Sequence, residues 1–505
     1  MVFDFSAIRP QKQTIGMIMK KTILLLIVLS LIIFPAGLSR AQGSGEICEI
    51  YFQYTNINIE QTGIQDVEDA VNEICIPAIG VKVHITPVFI GDLPSETAYA
   101  IAGGEKIDIV NVGLTHDITT MVSDGFLLPL DELLQERGSA VLQATEKVSP
   151  AQKIGGITYA ISQYPYAARC TGFRYNKKLA EENGIEMHDG MTLKELEEAG
   201  KILKNRNVYL TSLGLSAELT YQFFCPFEAF GAAANYGAIL DPAENSWIIN
   251  IYASEELREY YRTIRKWFEE GYLPENQMLN EVSVIRLFNE RRLFGIPTNV
   301  AANQMAGADQ DIGLILLSDP MITNSSVHEF MLGIASTCQN PEAAMDFINL
   351  IYENADLANL LNYGIEGVDY IPVPGTEHVI TTVGTANEDG SRYGSGFSRF
   401  GDPMMLYVKE PLTDDYFDDL AAWETNARTS LSFGYSFDAE AFSVEARNIA
   451  RILDEYLPIL NVGMAQDVDA EMDALVAALQ DAGIDKIIAA NNEQLQEYLQ
   501  TKKVP

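Results

Sequence analysis

The chain has 505 residues, 47% of them hydrophobic and 10% aromatic, which is ample for two cores and too long for one ordinary domain. Acidic residues outnumber basic ones 70 to 34, for a net charge of −36. Such a charge repels nucleic acid and anionic lipid, so neither is expected as a partner.

The segment "MKKTILLLIVLSLIIFPAGLSRAQG" starts at Met19, with Lys20 and Lys21 ahead of an apolar run from Ile23 to Phe34. Pro35 and Gly37 break the run, and Ser39-Arg40-Ala41 has the small-x-small form of a cleavage site. This reads as a secretory signal peptide near residues 19–41. The run is shorter than the roughly 20 residues of a membrane span. Cys48 follows Gly45-Glu46-Ile47, and a glutamate there does not suit a lipobox, so cleavage near Ala41 is preferred to lipid attachment. Cleavage removes a net +4 and leaves −40. Five cysteines, with no C-x-x-C, leave two readings: a Cys48–Cys75 disulfide, or the plainer set of buried free thiols.

Next come a strand, "ICEIYFQYT" (47–55), and a helix with Val67, Ala70, Val71 and Ile74 on one face. "VKVHITPVFI" (81–90) alternates as a second strand, and "GGEKIDIVNVG" (103–113) leads into a buried third. "ITTMVSDGFLLPLDELL" reads as short helix, turn at Gly125, helix. This order implies a parallel sheet with helices on its faces.

In "GGITYAISQYPYAARCTGFRYNKK" (155–178) two strand-like runs flank Tyr164, Pro165, Tyr166 and Arg169 without a hairpin turn. A strand that leaves one sheet for another needs no hairpin, so this stretch reads as a crossover between two α/β units, articulated near Gln163. Beyond it, "TLKELEEAGKILK" carries a capping box, Thr192 with Glu195. Residues 219–236 and 254–272 read as helical, and "RRLFGIPTN" and "IGLILLSDP" as strands. Trp267 sits on a helical stripe with Tyr260 and Ile264, and Trp247 is also read as structural. The segment 330–370 reads as a strand and then a helix with Asn340 as N-cap and Pro341 at its first position, whose buried stripe is Ala344, Phe347, Ile348 and Ile351. That helix is expected to end at Gly364. Residues 371–403 read as loop with short strands. The chain after Thr413 reads as mainly helical, with Gly483 between two helices.

In their order, "GGEKIDIVNVG", "GFLLPLDELL", "GGITYAISQYP…TGFRYNKKLAEENGI" and "STCQNPEAAMDFINLIY" resemble the extracellular solute-binding proteins of ABC transporters, sugar-binding branch. "NLLNYGIEGVDYIPVP" (359–374), "FGYSFDAEAFSVEARNIARILDEYLPIL" and "AALQDAGIDKIIAANNEQLQEYL" resemble a subgroup of large binding lipoproteins with a helical C-terminal extension. The resemblance implies an α/β, two-lobed periplasmic-binding-protein-like fold whose hinge strands let it close on a ligand. The absent lipobox departs from the subgroup. The expected division is 1–41 as N-terminal extension and signal peptide, 42–161 with 330–375 as one lobe, and 162–329 with 376–505 as the other.

A sugar site needs aromatic plates and a few fixed polar groups, and open α/β sheets bind ligands beyond the carboxyl ends of their strands. The loops there hold Tyr54, Thr55 and Asn56, then Thr115, His116 and Asp117, and at the crossover Tyr164, Tyr166 and Arg169. By the resemblance, Tyr221 and Phe224, Thr298 and Asn299, and Trp423 join them. Each has a plainer alternative: Tyr54 and Phe224 as core, Trp423 as helix packing, His116 and Asp117 in a loop or cap. Arg169 suits a uronic-acid carboxylate, but a salt bridge to one of the many acids is the preferred reading.

No G-x-S-x-G, H-E-x-x-H or P-loop is present, and no metal or cofactor is expected. "DVDAEMD" (467–473) lacks the EF-hand glycine and reads as a helix start. The expected function is capture of a carbohydrate, an oligosaccharide, for an ABC permease by a monomeric exported protein without enzymatic activity. Alternatives are a secreted glycoside hydrolase, since two carboxylates suffice for that chemistry, and a peptide-binding or sensory binding protein.

Overall fold

The computed structural model describes residues 47–56, 61–113, 116–213, 219–277, 284–302, 311–383, 392–394 and 399–502. The leader segment and Thr115 lie outside the described residues.

Strand Cys48–Asn56 is central, so both of its faces are covered: Ile50, Phe52 and Tyr54 are fully buried, and Gln53, Thr55 and Asn56 nearly so. It pairs in parallel with Val81–Phe89 on one side and Ile109–Val112 on the other. The return strand Met331–Ile334 joins antiparallel, followed by Ala160–Ser162 at the far edge. Helix Ile64–Ile79 covers one face through Val67, Val71 and Cys75. Its Asn72 donates to Val83 O at 2.9 Å and accepts from Val83 N at 2.7 Å, which satisfies part of the exposed edge of Val81–Phe89. Helix Pro341–Glu353 buries Ala344, Phe347, Ile348 and Ile351 completely, the four positions expected. It ends earlier than expected: Asn354 caps a second helix, Ala355–Tyr363, and Gly364 at φ 82° ends that one.

The second run of the crossover stretch, Cys170–Asn176, leaves for another sheet, as the missing hairpin implied. Gly295–Val300 and Ile312–Leu316 flank it, both antiparallel. This small sheet, unlike the first, has no parallel pairs. Its core gathers helix Glu255–Glu269, capped by Ser254, with Tyr260, Tyr261, Ile264 and Trp267 all buried. The C-terminal helices Ser443–Asn461, Val468–Asp481 and Ile484–Lys502 share this core. Ion pairs from Arg258 and Arg262 to Asp469, and from Arg258 to Asp473, join the two groups of helices. The acidic stretch at 467–473 is therefore a helix start, with Asp467 as its cap. The capping box of Leu193–Lys204 forms as read, Thr192 with Glu195.

Three further expectations fail. Residues 219–236 are not a helix: a single turn at Thr220–Phe223 precedes strand Phe227–Ala229, and Gly231, Ala233 and Ala234 adopt left-handed φ of 72°, 48° and 57°. Trp247 is 61% exposed and packs no core. Residues 376–505 do not all pack with the second core, because Tyr393 and Phe400 lie in the first. The five cysteines are free; Cys75, Cys170 and Cys338 are buried, in line with the plainer reading and not with a Cys48–Cys75 bridge.

Candidate binding site at the crossover

Three passes of chain run side by side between the two sheets. The first is 163–169. Its Arg169 exchanges backbone hydrogen bonds with Met321 of the second pass, N to O at 2.9 Å and O to N at 2.7 Å. Met321 and Ile322 in turn pair in parallel with Arg428 and Thr429 of the third pass. The second pass ends at Glu329, ahead of the return strand. The third follows helix Tyr416–Asn426. Gly113, at the end of the buried third strand, lies against the second pass so closely that a Cβ there would meet His328 O at 1.8 Å.

Four of the expected residues come together here. Tyr164 and Tyr166 have ring centroids 6.0 Å apart at 56°. The Tyr164 hydroxyl is 2.9 Å from that of Tyr416. Burial raises the pKa of both, so both are neutral near pH 7. One O–H donates to the other oxygen, and the second hydrogen stays available to a third partner. Tyr166 packs with Trp423, Tyr416 and Leu420 in a small apolar cluster. The Trp423 indole N–H donates to Ala168 O at 3.1 Å.

Arg169 takes the plainer of its two roles. Its Nε donates to Glu329 Oε2 at 3.0 Å, and Nη1 donates to Tyr166 O and Ala168 O at 3.0 and 3.1 Å. With its charge matched by Glu329, it is no free receptor for a uronic acid, and that expectation is withdrawn. Asn299 is exposed and stands opposite Thr171, two residues beyond Arg169, so it borders the same region.

The other expected contacts fall elsewhere. Tyr54 is fully buried, edge-on to Phe400 at 5.9 Å, and is a core ring. Asn56 is 3% exposed and accepts from Gln61 Nε2 at 2.9 Å. Tyr221 and Phe224 belong to the second core, packed on Tyr260 with centroids 5.3 and 5.9 Å away. In each case alternation or resemblance located the strand or turn and not the side that faces out. His116 is buried, and burial lowers its pKa. Asp117 caps the short helix Ile118–Ser123 by accepting from Thr119 N and Thr120 N, the loop-and-cap role.

Sequence reasoning missed Tyr416, Glu424 and Glu329. The signal available was adjacency: Glu424 follows Trp423, and Tyr416 lies two turns earlier on the same helix. A surface depression beside helix Ile64–Ile79, about 490 Å³, is lined by Glu68, Asp69, Glu73 and Lys82 and shares no residue with the crossover. Its charged lining lacks aromatic plates, so it is not the candidate. Among the described residues, no group of three His, Cys, Asp or Glu side chains could hold a metal ion.

The family model for bacterial extracellular solute-binding proteins matches residues 79–357, the first two of the three passes included. The chain belongs to that family. A second model, a domain of unknown function (DUF3502), matches residues 431–500, the C-terminal helices. A carbohydrate ABC transporter substrate-binding protein of Streptococcus pneumoniae is 22% identical over 442 residues, 86% of this chain and 87% of that one. Among solved structures, the N-glycan transport solute binding protein NgtS of S. pneumoniae aligns with a TM-score of 0.78 at 20% identity, over 90% of this chain and 100% of that one. The same protein in complex with Man5GlcNAc aligns with a TM-score of 0.74 at 21% identity, over 91% and 100%. S. pneumoniae FusA in complex with kestose gives 0.61 at 13% identity, over 90% and 100%. The fold is thus the two-lobed one of solute-binding proteins, with a helical C-terminal region. In such a fold the three passes are the hinge.

Proposed function

We propose that the chain is an exported binding protein that captures an oligosaccharide between its lobes and presents it to the permease of an ABC importer. The observation that carries this reading is the crossover itself. Tyr164 and Tyr166 stand on the segment that joins the two sheets, where a ligand can meet both lobes. The aromatic rings suit the C–H faces of a sugar, and the Tyr164–Tyr416 hydroxyl pair and Asn299 suit its hydroxyls. The names of the relatives support a carbohydrate, and those of NgtS point to oligosaccharides of mannose and N-acetylglucosamine. With Arg169 paired, the site suits a neutral sugar.

Binding works by population shift: a ligand that touches both lobes only when they are closed favours the closed state by its extra contacts there. The lobes follow the two cores, with 392–394 and 399–407 assigned to the first lobe and 430–502 to the second. The leader at 19–41 directs export, the mature chain acts as a monomer, and the ligand leaves unchanged. The test is calorimetric titration with Man1GlcNAc, Man5GlcNAc and other neutral oligosaccharides, with mass spectrometry of the recovered sugar. Saturable binding of intact sugar that weakens at least tenfold in Tyr164→Ala/Tyr166→Ala is the expected result. Hydrolysis of the sugar, or unchanged affinity in the double variant, rejects the reading.

A further inference from the structure

The backbone of one residue in the hinge is held at both of its polar groups by consecutive side chains of one helix. Ala168 is fully buried. Its N–H donates to Glu424 Oε1 at 2.8 Å, and its carbonyl accepts from Trp423 Nε1 at 3.1 Å. Seven residues before Trp423, Tyr416 meets the Tyr164 hydroxyl at 2.9 Å. Helix Tyr416–Asn426 thus grips the first pass at two points, on either side of Tyr166. A third grip comes from the second pass, through Glu329 to Arg169, whose Nη1 also returns to Tyr166 O.

A carboxylate in this half-buried place is unfavourable unless it is well paired. Its hydrogen bond goes to the backbone of a linker. We propose that Glu424 is a positioning residue: with Trp423 it fixes the 164–169 backbone, so that Tyr164 and Tyr166 are held ready before the ligand arrives. The inference rests on the crossover being the ligand site. Holding the segment in advance removes an ordering cost that binding would otherwise meet, and the gain falls mainly on the dissociation rate.

The experiment uses the mature chain with Glu424→Ala, Glu424→Gln and Trp423→Phe, in two arms. The first arm measures amide hydrogen exchange of peptides containing Ala168, without ligand. Glu424→Ala exchanges faster there and not in the two cores. Glu424→Gln keeps an acceptor for the Ala168 N–H and stays near the parent. Trp423→Phe lies between them. The second arm measures affinity and dissociation rate for the oligosaccharide bound by the parent chain. Glu424→Ala releases it about tenfold faster, the scale of losing one hydrogen bond and leaving its buried N–H unpaired, and Glu424→Gln, which supplies an acceptor, restores the parent rate. Unchanged exchange at Ala168 in Glu424→Ala overturns the proposal. So does faster exchange with unchanged dissociation, or a Gln variant as impaired as the Ala variant. If the parent binds no oligosaccharide, the functional reading fails instead, and the exchange arm alone decides whether Glu424 holds the segment.

Discussion

Gly113→Ala tests the hinge geometry most sharply. Gly113 has φ 94°, and an added Cβ would lie 1.8 Å from His328 O and 2.7 Å from Glu329 O. An ordinary carbon–oxygen contact is about 3.3 Å or more, so the second pass must retreat by about 1.5 Å. That retreat strains the bond from Gln163 N to Phe330 O, now 2.9 Å, and the Arg169–Glu329 pair at 3.0 Å. The left-handed backbone alone costs an alanine about 1–2 kcal/mol. With displaced hinge contacts the total reaches about 3–5 kcal/mol. Gly125→Ala is the control: φ is 72°, and nothing stands within 4 Å of its added Cβ, so only the backbone cost applies. Denaturant unfolding of both variants, followed by circular dichroism, should place Gly113→Ala well below Gly125→Ala. Equal midpoints would refute the close approach of the second pass on which the hinge description depends.

Phe224→Ala should lose about 3–5 kcal/mol of stability, as for a core aromatic, and retain parent affinity per folded molecule in titration calorimetry. Arg169→Gln should not alter the preference between neutral and uronic-acid sugars in a competition assay; a selective loss of acidic ligands would restore the carboxylate-receptor role. Burial pushes the thiols of Cys75 and Cys170 up to about 12, so an aromatic disulfide reagent should titrate them only after denaturation. A disulfide-linked Cys48–Cys75 peptide in the mass spectrum would contradict the five free thiols. Burial, opposed by the Ala168 N–H, Arg169 and Lys147, raises the Glu424 carboxyl above its ordinary 4.5. The folded chain therefore binds that proton more tightly than the unfolded one. Stability from this group falls as pH rises from 4.5 through the raised value and is level above it. Thermal melts of Glu424→Gln across that window should lack this component of the slope.

Much of the architecture was legible because it rests on local chemistry. Alternation in 81–90, the i, i+3, i+4, i+7 spacing of Val67, Ala70, Val71 and Ile74, and the Thr192–Glu195 pair each act within a few residues. The missing hairpin at 163–169 was the most informative feature, since it required a second sheet. Segment 219–236 misled because its aromatics mimic a helical stripe, while the left-handed turn at 231–234 is held by distant groups such as Tyr252, which bonds Ala233 O. The site was legible only where sequence neighbours stay neighbours in space. Tyr164, Tyr166 and Arg169 stayed together, but whether a strand-end tyrosine faces ligand or core depends on what packs there. For Tyr54 that is Phe400, far along the chain. Glu329 and Tyr416 reach the crossover through the return passes, and no spacing in the sequence announces that.

The central claim is that two lobes close on a sugar through the crossover at 163–169. Small-angle X-ray scattering of the mature chain, titrated with a bound neutral oligosaccharide, measures this directly. A radius of gyration that falls at saturation, and does not fall in Tyr164→Ala/Tyr166→Ala at the same sugar concentration, is the result expected. A radius unchanged while calorimetry reports full occupancy would contradict it.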